Sequence, residues 1–158
     1  MSSEFHFYNK FFEYINGDID LNNDVIKLML VKTSYVPDVT HKVLADIVPA
    51  SNELAEVDSP ANGYVTGGQV LTGQSYVSQD SPALGKFVAD NMEWPALTGV
   101  FRYGVLYAIK TVSVSPAIVN PLIGYILFDN TPADKVLVAI DFWVLWNVNG
   151  IFDLSVSA

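Results

Sequence analysis

The chain has 158 residues, no cysteine and a formal net charge of −9, with Arg102 its one arginine. That length is about one domain with enough chain to bury a core. The missing cysteines exclude disulfides, thiolate metal centres and cysteine nucleophiles, and the scattered lysines offer no patch for neutralising nucleic-acid phosphates.

Apolar residues make up 51% and charged residues only 16%, against a usual charged share of about 25%. The longest apolar stretch, Val136–Trp146, is broken by Asp141 and falls short of the roughly 20 residues a membrane helix needs. Alternating strands of about ten residues are too few for an outer-membrane barrel. Met1–His6 has neither a basic region nor an apolar core, so no signal peptide is expected. The surplus apolar surface is expected to be buried against other subunits, because obligate interfaces resemble a core cut in half.

In chain order, Phe5-His6-Phe7-Tyr8 reads as an extended aromatic arm within residues 1–8. Asn9 is placed to cap a short helix over Lys10–Asn16, with Phe11, Phe12 and Ile15 on one face and Gly17 ending it. Asp18–Asp24 is a polar turn. Val25–Lys32 is a strand with Ile26, Leu28 and Leu30 on one face and Lys27, Met29 and Val31 on the other. A loop follows over Ser34–Asp38, then a helical turn within Thr40–Ile47. Val48–Gly63 is polar and acidic and reads as an exposed loop. Tyr64–Gln74 reads as a strand interrupted at Gly67-Gly68, by a bulge or a close backbone approach.

Gln79–Gly85 is a turn, Lys86–Ala89 a short strand, and Asp90–Thr98 a lead-in to the clearest alternation in the chain, Val100–Lys110. Phe101, Tyr103, Val105, Tyr107 and Ile109 fall on one side of it. Val112–Asn120 is a Ser/Pro loop, and Pro121–Phe128 and Leu137–Trp146 are strands. Asn149-Gly150 signals a hairpin turn before a last strand, Ile151–Val156. About seven strands separated by Gly, Pro and Asn turns predict a mainly β chain. The expected form is a single antiparallel β-sandwich domain over residues 1–158, with one or two short helices.

No constellation with reaction chemistry emerges. Asp18-x-Asp20-x-Asn22-Asn23-Asp24 opens like a calcium loop, but Asn23 and Met29 stand where the loop needs Gly and a bidentate Glu. His6 and His41 lack partners at metal-ligand spacing, and no nucleophile elbow is present. Gly63-Tyr64-Val65-Thr66-Gly67-Gly68 has no phosphate-loop Lys-Ser/Thr. Trp94, Trp143, Trp146, Tyr64, Tyr103 and Tyr125 are candidates for a sugar-binding face, with core packing the alternative. Asp141 lies in an apolar strand, where an unpaired charge is costly. Arg102 is its expected ion-pair partner, within the subunit or across a contact.

The ordered set of short motifs carries a resemblance. It comprises Phe7-Tyr8-Asn9; Gly17-Asp18-Ile19-Asp20-Leu21 before Val25-Ile26-Lys27-Leu28; Ser34-Tyr35-Val36-Pro37-Asp38; and Thr40-His41 with Asp46-Ile47. Gly63-Tyr64, Gly67-Gly68 and Leu71-Thr72-Gly73 follow, then Phe87 and Ala89-Asp90 before Trp94, and Arg102-Tyr103 with Leu106-Tyr107. Pro121-Leu122-Ile123-Gly124-Tyr125-Ile126, Phe142 with Trp146, and Gly150-Ile151-Phe152-Asp153-Leu154 complete it. Over nearly its whole length the chain resembles small virion structural proteins of tailed bacteriophages.

The resemblance implies a β-rich, non-enzymatic assembly protein of the virion, put together in the host cytoplasm, without cofactor or metal. The expected role is capsid decoration (cement), with a tail or fibre position, and host-surface recognition, as the alternative. Expected partners are other copies of itself and the major capsid protein or other virion proteins, not nucleic acid or membrane. The aromatic arm Phe5–Tyr8 and the apolar strand Val136–Trp146 are the expected subunit contacts, with Phe5, Phe7, Tyr8, Phe11, Phe12, Trp143 and Trp146 as the contact residues.

Overall fold

The computed structural model describes residues 3–47, 52–54, 63–80, 83–113, 117–131 and 133–155. The chain is mainly β, with antiparallel pairing throughout the described sheets. Its strands are β1 (Glu4–Phe7), β2 (Ile26–Val31), β3 (Gln69–Val70), β4 (Ser75–Asp80), β5 (Ala83–Val88), β6 (Met92–Phe101), β7 (Tyr103–Ala108), β8 (Thr111–Val112), β9 (Ile118–Val119), β10 (Leu122–Leu127), β11 (Lys135–Val144) and β12 (Phe152–Ser155). One helix, α1 (Phe11–Tyr14), and a 3-10 turn, Leu44–Ile47, complete the described elements.

A five-stranded sheet in the order β1-β10-β7-β2-β3 forms the central layer. The period-two patterns of β2 and β7 give it two apolar faces. Ile26, Leu28, Leu30, Leu106 and Ala108 enter the larger core. There they meet Phe87 and Phe152 of the β12-β5-β4 sheet, and Trp94, Leu97 and Phe101 of the two-stranded β6–β11 ribbon. Met29, Val31, Val105 and Tyr107 enter a smaller core on the opposite face, closed by Tyr8, Tyr35, Ile47 and Leu122. A hydroxyl chain lines that second core: Tyr8 and Tyr35 are 2.9 Å apart, and Tyr35 is 2.8 Å from His41 Nδ1.

Several expectations need correction. The aromatic arm is a sheet strand: β1 pairs with β10 from Glu4↔Leu127 to Phe7↔Gly124. Lys10, not Asn9, occupies the helix cap and makes no side-chain capping bond. Val100–Lys110 is not one strand, because the chain changes sheets at Arg102. Phe101 therefore joins the larger core, whereas Tyr103 packs on the smaller one. Tyr64–Gln74 keeps only β3 as strand. Its glycines serve close approach: Gly68 has φ +76°, and a Cβ there would lie 2.7 Å from Met29 Cα. The turn at Asn147–Gly150 closes as an isolated bridge, but the strands around it belong to different sheets. Most of the Val48–Gly63 loop lies outside the described residues. Within it, Glu53 accepts hydrogen bonds from the Tyr64 hydroxyl at 2.6 Å and from the Gly67 amide.

Candidate interaction surface

The β6–β11 ribbon is the part of the fold whose surface chemistry stands out. Its inner side chains hold it to the core: Trp94, Leu97 and Phe101 are fully buried, and the Phe142 ring meets Phe101 at 4.9 Å and Phe128 at 5.3 Å. Its outer side is apolar and open. Val136 is 65% exposed, Val138 71%, Leu145 68%, Trp143 50% and Val100 45%. Val136 lies directly opposite Val100, so the two strands contribute to one face. Ile140 is half exposed although its cross-strand partner Leu97 is fully buried, so the ribbon overhangs the core there.

Two bulges shape this surface. Leu137 pairs with Gly99 and Ile140 with Leu97, which leaves one extra residue on β11; Phe142 then pairs with Trp94, which leaves one extra residue on β6. Ala139 (φ 51°) and Ala96 (φ 49°) adopt the left-handed conformation at these points, at a cost of roughly 1–2 kcal/mol each. Each bulge is supported from the opposite strand. The Ala139 amide donates to Thr98 Oγ1 and the Ala96 amide to Asp141 Oδ1, both at 2.8 Å. The extra residues reverse the alternation, so Leu137 and Phe142 both pack inward although one is odd and one even.

This geometry replaces the expected Arg102–Asp141 pair. Arg102 Nε lies 2.8 Å from Asp134 Oδ1, and Asp141 is exposed, its carboxylate taken up by the Ala96 amide. An exposed carboxylate keeps its hydration and needs no buried counter-charge. The Asp134 carboxyl is held below its ordinary value by the hydrogen bond from Thr33 and then by Arg102.

The expected contact residues divide. Tyr8 and Phe11 are fully buried within this chain. Phe5 and Phe7 pack against the larger core, with Phe7 4.9 Å from Phe152. Tyr8 and Phe11 are therefore interior residues, and Phe5 and Phe7 are partly buried because β1 is stitched into the sheet. Phe12 and Trp143 are exposed. Trp146 is partly buried, its indole nitrogen donating to the Asp90 carbonyl at 2.9 Å. Trp143 and Trp146 border an apolar groove of about 280 Å3, with Ile126, Phe128, Phe142 and Leu145 among its walls. Val136, Val138 and Leu145 lie in the apolar strand Val136–Trp146 expected from the sequence to make subunit contacts, whereas Val100 was not singled out.

The other candidate sites resolve into structural roles. Asp20 accepts from the Asn22 amide and the Asn23 side chain, and Asp24 from Lys110, which ties the polar turn to the sheet end. No group of three or more His, Asp or Glu suited to a metal occurs among the described residues. His6 stacks on Tyr125 at 4.9 Å. The six aromatics considered for sugar binding form no common face: Trp94 and Tyr64 are buried, while Tyr103 and Tyr125 pack on the smaller core. No helix among the described residues is long and apolar enough to cross a membrane. No protein-family model, no curated protein and no solved structure matches the chain.

Proposed function

We propose that this chain is a non-enzymatic virion structural protein of a tailed bacteriophage, acting as a capsid decoration (cement) protein. The observation that carries this reading is the open apolar face of the β6–β11 ribbon in a chain of net charge −9. Contiguous exposed apolar surface of this kind marks protein–protein contact. The rigid, core-anchored ribbon presents it with little ordering cost on binding. Contacts available only on the expanded head lattice stabilise that lattice by mass action. The partners are other copies of this chain and the major capsid protein, and the location is the virion.

The groove beside Trp143 and Trp146 favours a second reading, a tail or fibre component that recognises a host surface. Co-sedimentation with separated heads and tails of the cognate phage distinguishes the two. Saturable binding to expanded heads, with a raised head melting temperature, supports cement function. Binding only to tails or host cells moves the protein to the second reading. Binding to none of these overturns both.

A further inference from the structure

We propose that Asn16 is a self-modifying site: its side-chain amide closes onto the Gly17 nitrogen, expels ammonia and ends as aspartate or isoaspartate. The chain has three Asn-Gly steps, at Asn16, Asn62 and Asn149. Asn62 lies outside the described residues. An Asn-Gly step holds an electrophilic side-chain carbon within reach of the next backbone nitrogen, and glycine adds no Cβ to obstruct the imide ring. The fold treats the other two steps oppositely.

At Asn16–Gly17 the nitrogen is available. Both residues are exposed, just past the end of α1. Among the described residues neither the Gly17 amide nor the Asn16 side chain has a hydrogen-bond partner. A Cβ on Gly17 would meet nothing within 4 Å, so ring closure has room. The bonds that hold this turn run from the Asp18 and Ile19 amides to the Tyr14 carbonyl, both at 2.8 Å, and leave the Gly17 nitrogen out. At Asn149–Gly150 the nitrogen is engaged. The Gly150 amide donates to the Asn147 carbonyl at 2.8 Å, and the Asn149 amide to Asn147 Oδ1 at 2.9 Å. A Cβ on Gly150 would lie 2.4 Å from the Phe87 carbonyl oxygen, so the backbone there is packed against β5.

The step needs only hydroxide and water. Hydroxide takes the Gly17 amide proton, and the nitrogen attacks Asn16 Cγ. The N–Cγ bond forms and the Cγ–Nδ2 bond breaks, the leaving nitrogen taking a proton from water to depart as ammonia. Water then adds to one of the imide carbonyls. Opening the bond between the nitrogen and Cγ gives aspartate. Opening the bond between the nitrogen and the Asn16 backbone carbonyl gives isoaspartate, in which the chain runs through the side chain. Either product adds a carboxylate close in sequence to Asp18. Isoaspartate also lengthens the backbone by a methylene between Ile15 and Gly17, ahead of the bonds that seat the buried core residue Ile19.

The native full chain, held at mildly alkaline pH and mapped at intervals by mass spectrometry with peptide fragmentation, tests the site. Asn16 is expected to convert at least about fivefold faster than Asn149, because the Gly150 amide must first give up a hydrogen bond. In guanidinium chloride that unfolds the chain, the two rates are expected to converge. Asn16→Gln, whose longer side chain closes a larger ring more slowly, is expected to keep position 16 uncharged and to leave the Asn149 rate unchanged. Equal rates in the native chain, or an Asn16 that stays intact while Asn149 converts, overturn the assignment. An advantage of Asn16 that persists undiminished in denaturant also overturns it, since the local sequence and not the fold would then set the order.

Discussion

Phe7→Ala separates a structural strand from a contact arm. Phe7 lies within ring contact of Phe5 at 5.0 Å, Phe11 at 5.4 Å, Phe12 at 5.0 Å and Phe152 at 4.9 Å. It therefore ties β1 to α1 and to β12. Truncating a fully buried phenylalanine costs about 3–5 kcal/mol. Phe7 is only partly buried and β1 is a sheet edge that can relax, so the expected loss is about 2–3 kcal/mol. For a domain of this size that lowers the melting temperature by roughly 5–10 °C. Urea unfolding of Phe7→Ala in a Val138→Lys background measures it, because association otherwise adds concentration-dependent stability. A loss below about 1 kcal/mol would refute the strand's role in the fold. A contact arm makes the opposite prediction: unchanged stability and a lower oligomer mass in the Val138 parent.

Gly68→Ala is expected to destabilise by about 3 kcal/mol or more, since its φ is +76° and the new Cβ would lie 2.6 Å from the Leu28 carbonyl carbon. Gly17→Ala isolates the conformational part, because at φ +124° it meets nothing within 4 Å; equal losses at the two sites in urea unfolding would reject the close-approach explanation. Asp38, Asp129 and Asp134 are held below the ordinary carboxylate value, chiefly by hydrogen bonds from Thr40, Thr131 and Thr33. Their contribution is present above the unfolded value and lost as pH falls through the folded values. Asp129→Asn should therefore flatten the acid side of a stability–pH curve, and an unchanged slope there counts against it. Burial raises the phenols of Tyr8, Tyr64 and Tyr107, the last to about 12. Their stabilisation is complete below the ordinary value of 10.0 and is lost as pH rises towards the folded values. Phenolate absorbance should lag until alkaline unfolding, and early titration of every tyrosine would contradict the buried assignments.

The period-two signal located β2 and β10 and gave the correct faces for both β2 and β7. It could not register a change of sheet. The alternation of Val100–Lys110 runs on through Arg102, yet the Arg102 amide bonds to the Val31 carbonyl while Phe101 already faces another layer. Strand β6 was hidden because Pro95, Ala96 and Gly99 are poor strand formers. Its pairing with the strongly apolar β11, not its own propensity, holds it extended. Asn149-Gly150 is a genuine turn, but turn chemistry fixes only the local reversal, and long-range packing decided that β11 and β12 join different sheets. The aromatic N-terminus was ambiguous for a similar reason: Phe5 and Phe7 suit a partner's surface as well as their own core, and only the open edge of β10 decides between them.

The two ribbon bulges connect these misreadings to the proposed role. A strictly alternating β11 would have put Leu137, Ala139, Asp141, Trp143 and Leu145 on one face and would have forced a charge into an apolar layer. The extra residue at Ala139 moves Phe142 and Val144 inward instead. The complementary extra residue at Ala96 keeps β6 in step and gives the Asp141 carboxylate an amide to hold. The ribbon can then carry Trp94, Leu97 and Phe101 into the core and Val136, Val138 and Trp143 out of it without burying an unpaired charge. The same bulges break the regular ladder that would invite uncontrolled strand addition by other copies. A bulged ribbon with an apolar outer face is thus suited to a defined face-to-face contact and poorly suited to open-ended sheet growth. That is the property a protein needs if it must stay soluble as it accumulates and then assemble at fixed positions.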